Sequence, residues 1–384
     1  MMKPPRVLVN GWFWGQMHTG SGQYLHHLAR CLPQVAGQLQ YILALPQASA
    51  APAPAGWQVV VAPPAAGRLG ENLAKLWFEQ ISYPAACRRL AADIAFVPYW
   101  GSPWRLPCAT AVTVHDLIPL LLPAYRGGPL QRAYSWLVSQ TAGRAALILT
   151  DSQASRQDII QRLSLPPDRV QAVLLAADER FRPATDQAEL ARVQVRYSLP
   201  ERFMLYLGGF DVRKNVAGLV RAYARWVRQD LPLLRRSGRS DSVPPLVIAG
   251  KLPAADTPFT PDPRRMAAEA GVADRVHFTG WVEEDDKPAL YSLASLFVFP
   301  SLVEGFGLPV AEAAACGTPV VTSNRSSLPE AAPGAILVDP EDEAALAAAM
   351  AQALQAARPA AHPEARRTWL DVAHETAAWL KELS

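Results

Sequence analysis

Short apolar runs rich in Val, Ile and Leu alternate along the chain with longer stretches in which apolar residues recur every three or four positions. The runs at 6–10, 40–45, 57–61, 93–97, 110–114, 146–150 and 170–174 predict strands, with helices between them near 21–32, 72–83, 128–143 and 152–163. From Ala177 to Glu201 charge, Pro183 and Pro200 break the rhythm, and this segment reads as a linker. A second series follows, with strands near 203–208, 245–250, 276–279, 295–299, 319–322 and 335–338. Its helices fall near 214–229, 262–270, 285–293, 309–316 and 341–357. Strands apolar on both faces and separated by helices predict parallel sheets covered on both sides. Two doubly wound halves joined by a linker would form a cleft where their carboxyl-end loops face each other, and ligands of such sheets bind there.

The length of 384 residues suits two domains of roughly 150–200 residues each. Half the residues are apolar and 18% are charged, which is globular and not disordered. The net charge of +3 is too small to imply a nucleic-acid partner. Cys31, Cys87, Cys108 and Cys316 have no CxxC spacing and no ligand-like spacing with histidine, so they read as reduced core thiols of a cytoplasmic protein. The N-terminus enters the strand Val7-Leu8-Val9 too soon for a secretory signal, and no stretch approaches 18 apolar residues. A peripheral position on the inner face of a membrane stays open. Residues 231–244, with Arg235, Arg236 and Arg239, read as a surface loop, and 48–56 as a low-complexity connector.

The segment Pro300 to Glu312 (PSLVEGFGLPVAE) carries the most chemistry. It leaves the strand Leu296 to Phe299, turns through Gly305 and Gly307, and enters a helix with Pro309 in its first turn. Glycines admit a ligand close to the backbone, and the free N–H groups of a helix start attract phosphate. Glu304 and Glu312 lie eight residues apart, one on each side of the turn, placed to accept hydrogen bonds from hydroxyls in one pocket. A plain strand–turn–helix with exposed glutamates fits the same residues. In the first half, Thr19-Gly20-Ser21-Gly22 follows a strand and opens a helix, as a phosphate-binding loop or an ordinary tight turn would. His115, in VTVHDLIP, stands at a strand's carboxyl end, with Asp116 placed either to orient its ring or to cap the next helix.

Residues 295–330 resemble the signature of the GT-B glycosyltransferases of the large retaining family 4, whose E-x7-E motif matches Glu304 and Glu312. The resemblance extends to Phe203–Asn215 (FMLYLGGFDVRKN), Val276–Val282, the histidine segment and Thr150–Ser155, where Ser152 reads as an N-cap. It covers most of the chain and is weakest over 35–90 and 231–265. It implies an α/β GT-B fold, with two doubly wound Rossmann-like domains facing a central cleft. Residues 1–180 would form the acceptor side, with a crossover helix 364–384 returning to it and Trp369 packing there. Residues 195–363 would bind the donor nucleotide-sugar.

Carried over residue by residue, the resemblance gives Glu304 the donor sugar and Glu312 the ribose. The amides of Phe306, Gly307 and Leu308 would lie near the sugar and diphosphate. Arg213 and Lys214 would neutralise the leaving diphosphate, a role a metal plays in other transferases. Gly20 and Gly22 would touch the diphosphate, and His115 would sit near the reacting anomeric carbon. Many members carry arginine where this chain has Gly209, which throws more weight onto Arg213 and Lys214.

The function implied is metal-independent hexosyl transfer with retention, by front-side displacement and with domain closure, in polysaccharide assembly. The HDLIP and GGFD segments favour GDP-mannose over UDP-glucose as donor. The acceptor would be a glycan or a lipid-linked glycan. Trp12, Phe13, Trp14, Trp100 and Trp104 suit a sugar groove or the core equally, and Leu117–Pro123 reads as a membrane contact or a buried helix. A sugar-nucleotide epimerase of the same architecture and a non-catalytic sugar-nucleotide-binding protein are the competing readings.

Overall fold

The computed structural model describes residues 3–49, 51–65, 70–105, 107–237, 243–356 and 366–384, except for the side chains of 230–237. Ala50 in the connector, Arg239 and Glu364 lie outside them. The chain divides into two compact units, Met1–Leu175 with Arg367–Ser384, and Ala176–Arg366.

In the first unit the chain runs β1 (Arg6–Asn10), α1 (Gly20–Val35), β2 (Gln40–Leu45), β3 (Gln58–Val61) and α2 (Glu71–Trp77). A π-helical turn, Phe78–Ser82, leads into α3 (Tyr83–Arg89), so the single helix expected at 72–83 is longer and has a bulge inside it. Then come β4 (Ile94–Val97), β5 (Ala109–Thr113), α4 (Ile118–Leu121), α5 (Pro129–Ala142), β6 (Leu147–Thr150), α6 (Gln153–Leu163) and β7 (Val170–Ala172).

The second unit opens with α7 (Gln187–Arg196), β8 (Met204–Leu207), α8 (Val216–Ser237), β9 (Leu246–Ala249), α9 (Pro263–Glu269) and β10 (Val276–Gly280). It continues through α10 (Lys287–Leu293), β11 (Leu296–Phe299), α11 (Leu308–Ala315), β12 (Val320–Ser323), α12 (Leu328–Ala331), β13 (Ile336–Val338) and α13 (Glu343–Gln355). The last helix, α14 (Trp369–Lys381), belongs to the first unit.

Both sheets are wholly parallel, ordered β3-β2-β1-β4-β5-β6-β7 and β10-β9-β8-β11-β12-β13. Every residue of β4, β6, β8, β9, β11 and β12 is buried, as expected of strands covered on both faces. In each sheet the order reverses beside the first strand, between β1 and β4 and between β8 and β11. Chains leaving such neighbours turn opposite ways and open a crevice at their carboxyl ends.

Two expectations need correction. The segment read as a linker contains α7, capped by the Asp186 carboxylate, which accepts from the Ala188 amide. This helix is fastened to the second unit. The buried Asp286 accepts from the Tyr197 hydroxyl at 2.6 Å and pairs with Arg196 at 2.9 Å and with Arg192. The segment read as a surface loop from 231 instead continues α8 through Ser237, so Arg235 and Arg236 are helical. In the run from Leu117, the first residues are core, with Leu117 and Ile118 buried.

Trp369 is buried, stacked on His27 with centroids 4.4 Å apart, and Thr368 with Asp371 forms a capping box at the start of its helix. All four cysteines are free thiols. Among the described residues no helix is long and apolar enough to cross a membrane.

Candidate active site

The chain leaving β8 runs through Gly208-Gly209-Phe210-Asp211 into a short 3₁₀ turn, Val212–Lys214, and that leaving β11 carries Ser301 to Gly307. Because β8 and β11 are neighbours at the strand-order reversal, the two loops meet. The Leu302 amide donates to the Arg213 carbonyl at 2.7 Å, and the Ser301 hydroxyl to the same oxygen at 3.0 Å.

The Glu304 carboxylate is the hub of this junction. Lys214 Nζ donates to Oε1 at 2.7 Å, the Ser301 hydroxyl donates to Oε1 at 2.7 Å, and the Arg213 guanidinium pairs with Oε2. Arg213 also lies 3.3 Å from the Asp211 carboxylate, and Lys214 sits 5.0 Å above the Phe299 ring. The Glu304 backbone is pinned as well, its carbonyl accepting from the Ser326 and Ser327 hydroxyls at 2.7 and 2.9 Å. Burial alone would push the Glu304 carboxyl up. The Lys214 ammonium and then the Arg213 guanidinium outweigh it and hold the group below the ordinary glutamate range.

Glu312, one turn into α11, has different surroundings. The Tyr291 hydroxyl of α10 donates to it at 3.0 Å. Its pKa is raised, first by burial, with the Lys287 charge only partly opposing that. The two glutamates of one motif are thus tuned in opposite directions, one held charged by two cations and the other pushed toward neutrality.

Phe306 and Gly307 form the turn into α11, and Leu308 is its first residue. Gly307 has φ +104°, and a Cβ there would stand 2.7 Å from a Leu328 methyl. Gly307→Ala should therefore cost about 2 kcal/mol, from the left-handed backbone and the crowding together. The expected result is a melting temperature several degrees lower by calorimetry, and an unchanged one would refute this account of the turn. Gly209 is under no such constraint, since a Cβ there would meet only the Asp211 carboxylate at 3.5 Å.

In the first unit, the side chain of Thr19 caps α1, accepting from the Gly22 amide at 3.1 Å. A Cβ on Gly22 would lie 2.1 Å from the Gln16 carbonyl oxygen, whereas one on Gly20 would meet nothing within 4 Å. Gly22 is therefore accounted for by packing, and Gly20 is the glycine with open space before it.

His115 follows β5, and its Nδ1 lies 2.8 Å from the Asp151 carboxylate, which follows β6. The Tyr24 ring packs edge-on against the imidazole at 4.9 Å. Burial pulls the His115 pKa down, but the Asp151 charge and hydrogen bond, helped by Asp116 and the Pro98 carbonyl, leave it raised. Nε2 is buried and makes no hydrogen bond among the described residues. The Asp116 carboxylate accepts from the Ile118 amide at 2.9 Å just ahead of α4, whose N-cap is Leu117, and its charge also acts on His115. Ser152 caps α6, accepting from the Ser155 amide at 3.0 Å.

Sequence reading missed Asp151 as the partner of His115, Ser301 as the neutral donor to Glu304, and Tyr291 as the partner of Glu312. For Asp151 a signal existed. Thr113 pairs with Leu149 in the β5–β6 register, so positions two residues beyond each fall side by side.

Comparison with known proteins agrees with this architecture. A family model described as glycosyl transferases group 1 matches residues 188–368, and one described as Glycosyltransferase Family 4 matches residues 18–179. The chain is 36% identical over 261 residues to O-antigen chain mannosyltransferase B of Escherichia coli, covering 67% of this chain and 64% of that protein. It is 33% identical over 285 residues to the serotype-specific mannosyltransferase WbdA of Escherichia coli, covering 70% of this chain and 33% of that one. The chain thus spans less than two thirds of the length of these relatives. Among solved structures, Anabaena Alr3699/HepE in complex with UDP and glucose superposes over the full length of both chains, with TM-score 0.69 and 17% identity.

Fold and motifs together define a GT-B protein built from two Rossmann-like units. The chain belongs to the group 1, family 4 glycosyltransferases.

Proposed function

We propose that the protein transfers a hexose from a nucleotide-diphosphate sugar to a glycan or lipid-linked acceptor in cytoplasmic polysaccharide assembly, with retention of configuration and without a metal. The observation that carries this is the Glu304 carboxylate gripped by Lys214 and Arg213 at the strand-order reversal. A pair of cations on one loop, fixed by a carboxylate of the neighbouring loop, can neutralise a departing diphosphate, and such preorganised charge is often the largest single term in catalysis. Mannose as the sugar is supported by the mannosyltransferase relatives. GDP-mannose is preferred to UDP-glucose on the HDLIP and GGFD segments.

In the proposed reaction an acceptor hydroxyl oxygen attacks the anomeric carbon from the face that the diphosphate leaves. The bond from that carbon to the β-phosphate oxygen breaks as the new glycosidic bond forms, and the hydroxyl proton passes to the β-phosphate. Arg213 and Lys214 stabilise the charge developing on the diphosphate, and Glu304 holds the sugar. The His115 Nε2, with no hydrogen-bond partner among the described residues, binds a sugar hydroxyl. Glu312, Gly20, Gly209 and the amides of Phe306, Gly307 and Leu308 complete donor binding.

The test is nucleoside diphosphate release from GDP-, UDP-, ADP- and dTDP-sugars, with EDTA throughout, with and without lipid-linked glycan acceptors. Acceptor-stimulated release from GDP-mannose is expected. Release that needs a divalent cation, or isomerisation of the donor without acceptor, would overturn the reading. Glu312→Ala should raise KM for the donor about 10–100-fold, the worth of one charged hydrogen bond at about 1.5–3 kcal/mol. A KM within twofold of the parent would remove Glu312 from the donor site.

A further inference from the structure

A cavity of about 460 Å³ opens on the first unit between α4, α5 and the last turn of α6. Arg132 and Trp136 of α5, Arg162 and Leu163 of α6, Leu120 of α4 and Arg126 line it. Nothing in the proposed transfer reaction uses it.

What distinguishes this hollow from ordinary surface is that three arginine side chains share it. Elsewhere Arg180, Arg192, Arg196, Arg264, Arg265 and Arg325 are each paired with a carboxylate. The guanidinium groups of Arg126 and Arg132, by contrast, make no hydrogen bond or ion pair among the described residues. The acidic group acting on Arg162 is Asp158, one turn earlier on α6. Three guanidiniums around one hollow raise its potential, and this arrangement favours a multivalent anion over water.

The scaffold beneath is rigid. On the inner side of α5 the Tyr134 hydroxyl donates to the buried Glu79 carboxylate at 3.0 and 3.2 Å, and Lys75 donates to that hydroxyl at 3.0 Å. Val138, Thr141 and Ala142 are also buried, which fixes the helix and leaves Arg132 and Trp136 exposed. Trp136 is 59% exposed, although an indole of that size is ordinarily covered. Guanidinium forks match the oxygens of a phosphoryl group, and the apolar side chains of Trp136, Leu120 and Leu163 offer contact to whatever carries it.

We propose that this cavity is a binding site for a phosphoryl group, with Arg126, Arg132 and Arg162 as its clamp. A lipid headgroup and a soluble phosphate share that chemistry, and the experiment separates them. The full chain, Arg126→Gln/Arg132→Gln and the charge-matched control Arg202→Gln/Arg225→Gln are compared in two assays. One is co-sedimentation with phosphatidylglycerol vesicles against phosphatidylcholine vesicles, and the other is calorimetric titration with inorganic pyrophosphate. At least tenfold weaker binding in the first variant, with the control unchanged, is expected. Loss in the vesicle assay assigns the phosphoryl group to a lipid headgroup, and loss confined to pyrophosphate assigns it to a soluble ligand. Equal binding by both variants in both assays overturns the proposal. Since the readout is binding and not transfer, that failure would leave the glycosyltransferase reading intact.

Discussion

Glu304→Ala should lower kcat/KM for glycosyl transfer by about 10³-fold, the largest effect expected of any single substitution in this chain. Loss of one preorganised contact to a reacting group typically costs about 10²–10³ in rate. Here the same change also strips the counter-charge from Arg213 and Lys214, whose side chains are only 17% and 12% exposed. Breaking a buried pair of this kind costs on the order of 3–5 kcal/mol, because a charge is left uncompensated.

Glu304→Gln separates the two effects. It can keep a hydrogen bond from Ser301 but loses the charge, so kcat should fall while Kd for the nucleoside diphosphate does not rise. The pairing also has a pH signature. A carboxylate held below its ordinary value of 4.5 contributes stability that is fully present above that pH and is lost as pH falls through the folded value. Melting curves from pH 7 to 3 should therefore converge for Glu304→Gln and the parent at the acid end. Activity of Glu304→Ala within tenfold of the parent would take Glu304 out of the reaction.

The two glutamates, the cation pair and the glycine-rich turn were legible because they sit within short, contiguous segments whose spacing is itself the signal. Their partners were not, because contacts such as Arg213 to Glu304, 91 residues apart, depend on which strands become neighbours. Strand order supplies that information, and with it the pairing of His115 and Asp151 follows from register. Helix α7 was hidden for a different reason. Its charge and flanking prolines mimic a linker, and its fastening to Asp286 is tertiary. The far end of α8 was likewise misread because arginine and serine carry little periodicity, although the helix runs on to Ser237.

Asp151→Asn is expected to lower kcat by about 10²-fold without a comparable change in donor affinity, and His115→Ala to cost at least as much. Asp151 does two things for the imidazole. It accepts the Nδ1 proton at 2.8 Å, which fixes the ring and aims Nε2 away from the carboxylate. Its charge also reverses the effect of burial, leaving the His115 pKa above the ordinary 6.5. An asparagine oxygen can still accept the hydrogen bond but supplies no charge, so burial then dominates and the His115 titration should move below 6.5. Nitrogen-15 NMR of the ring would read that shift directly. The sign for stability follows, since a raised histidine pKa stabilises the fold below pH 6.5 and that contribution is lost as pH rises through the folded value. Asp151→Asn should thus be destabilised relative to the parent at pH 6 and nearly equal to it at pH 9. Because a role in packing alone would lower stability equally at both pH values and leave the titration in place, the pair of measurements distinguishes an electrostatic orienting residue from a structural one.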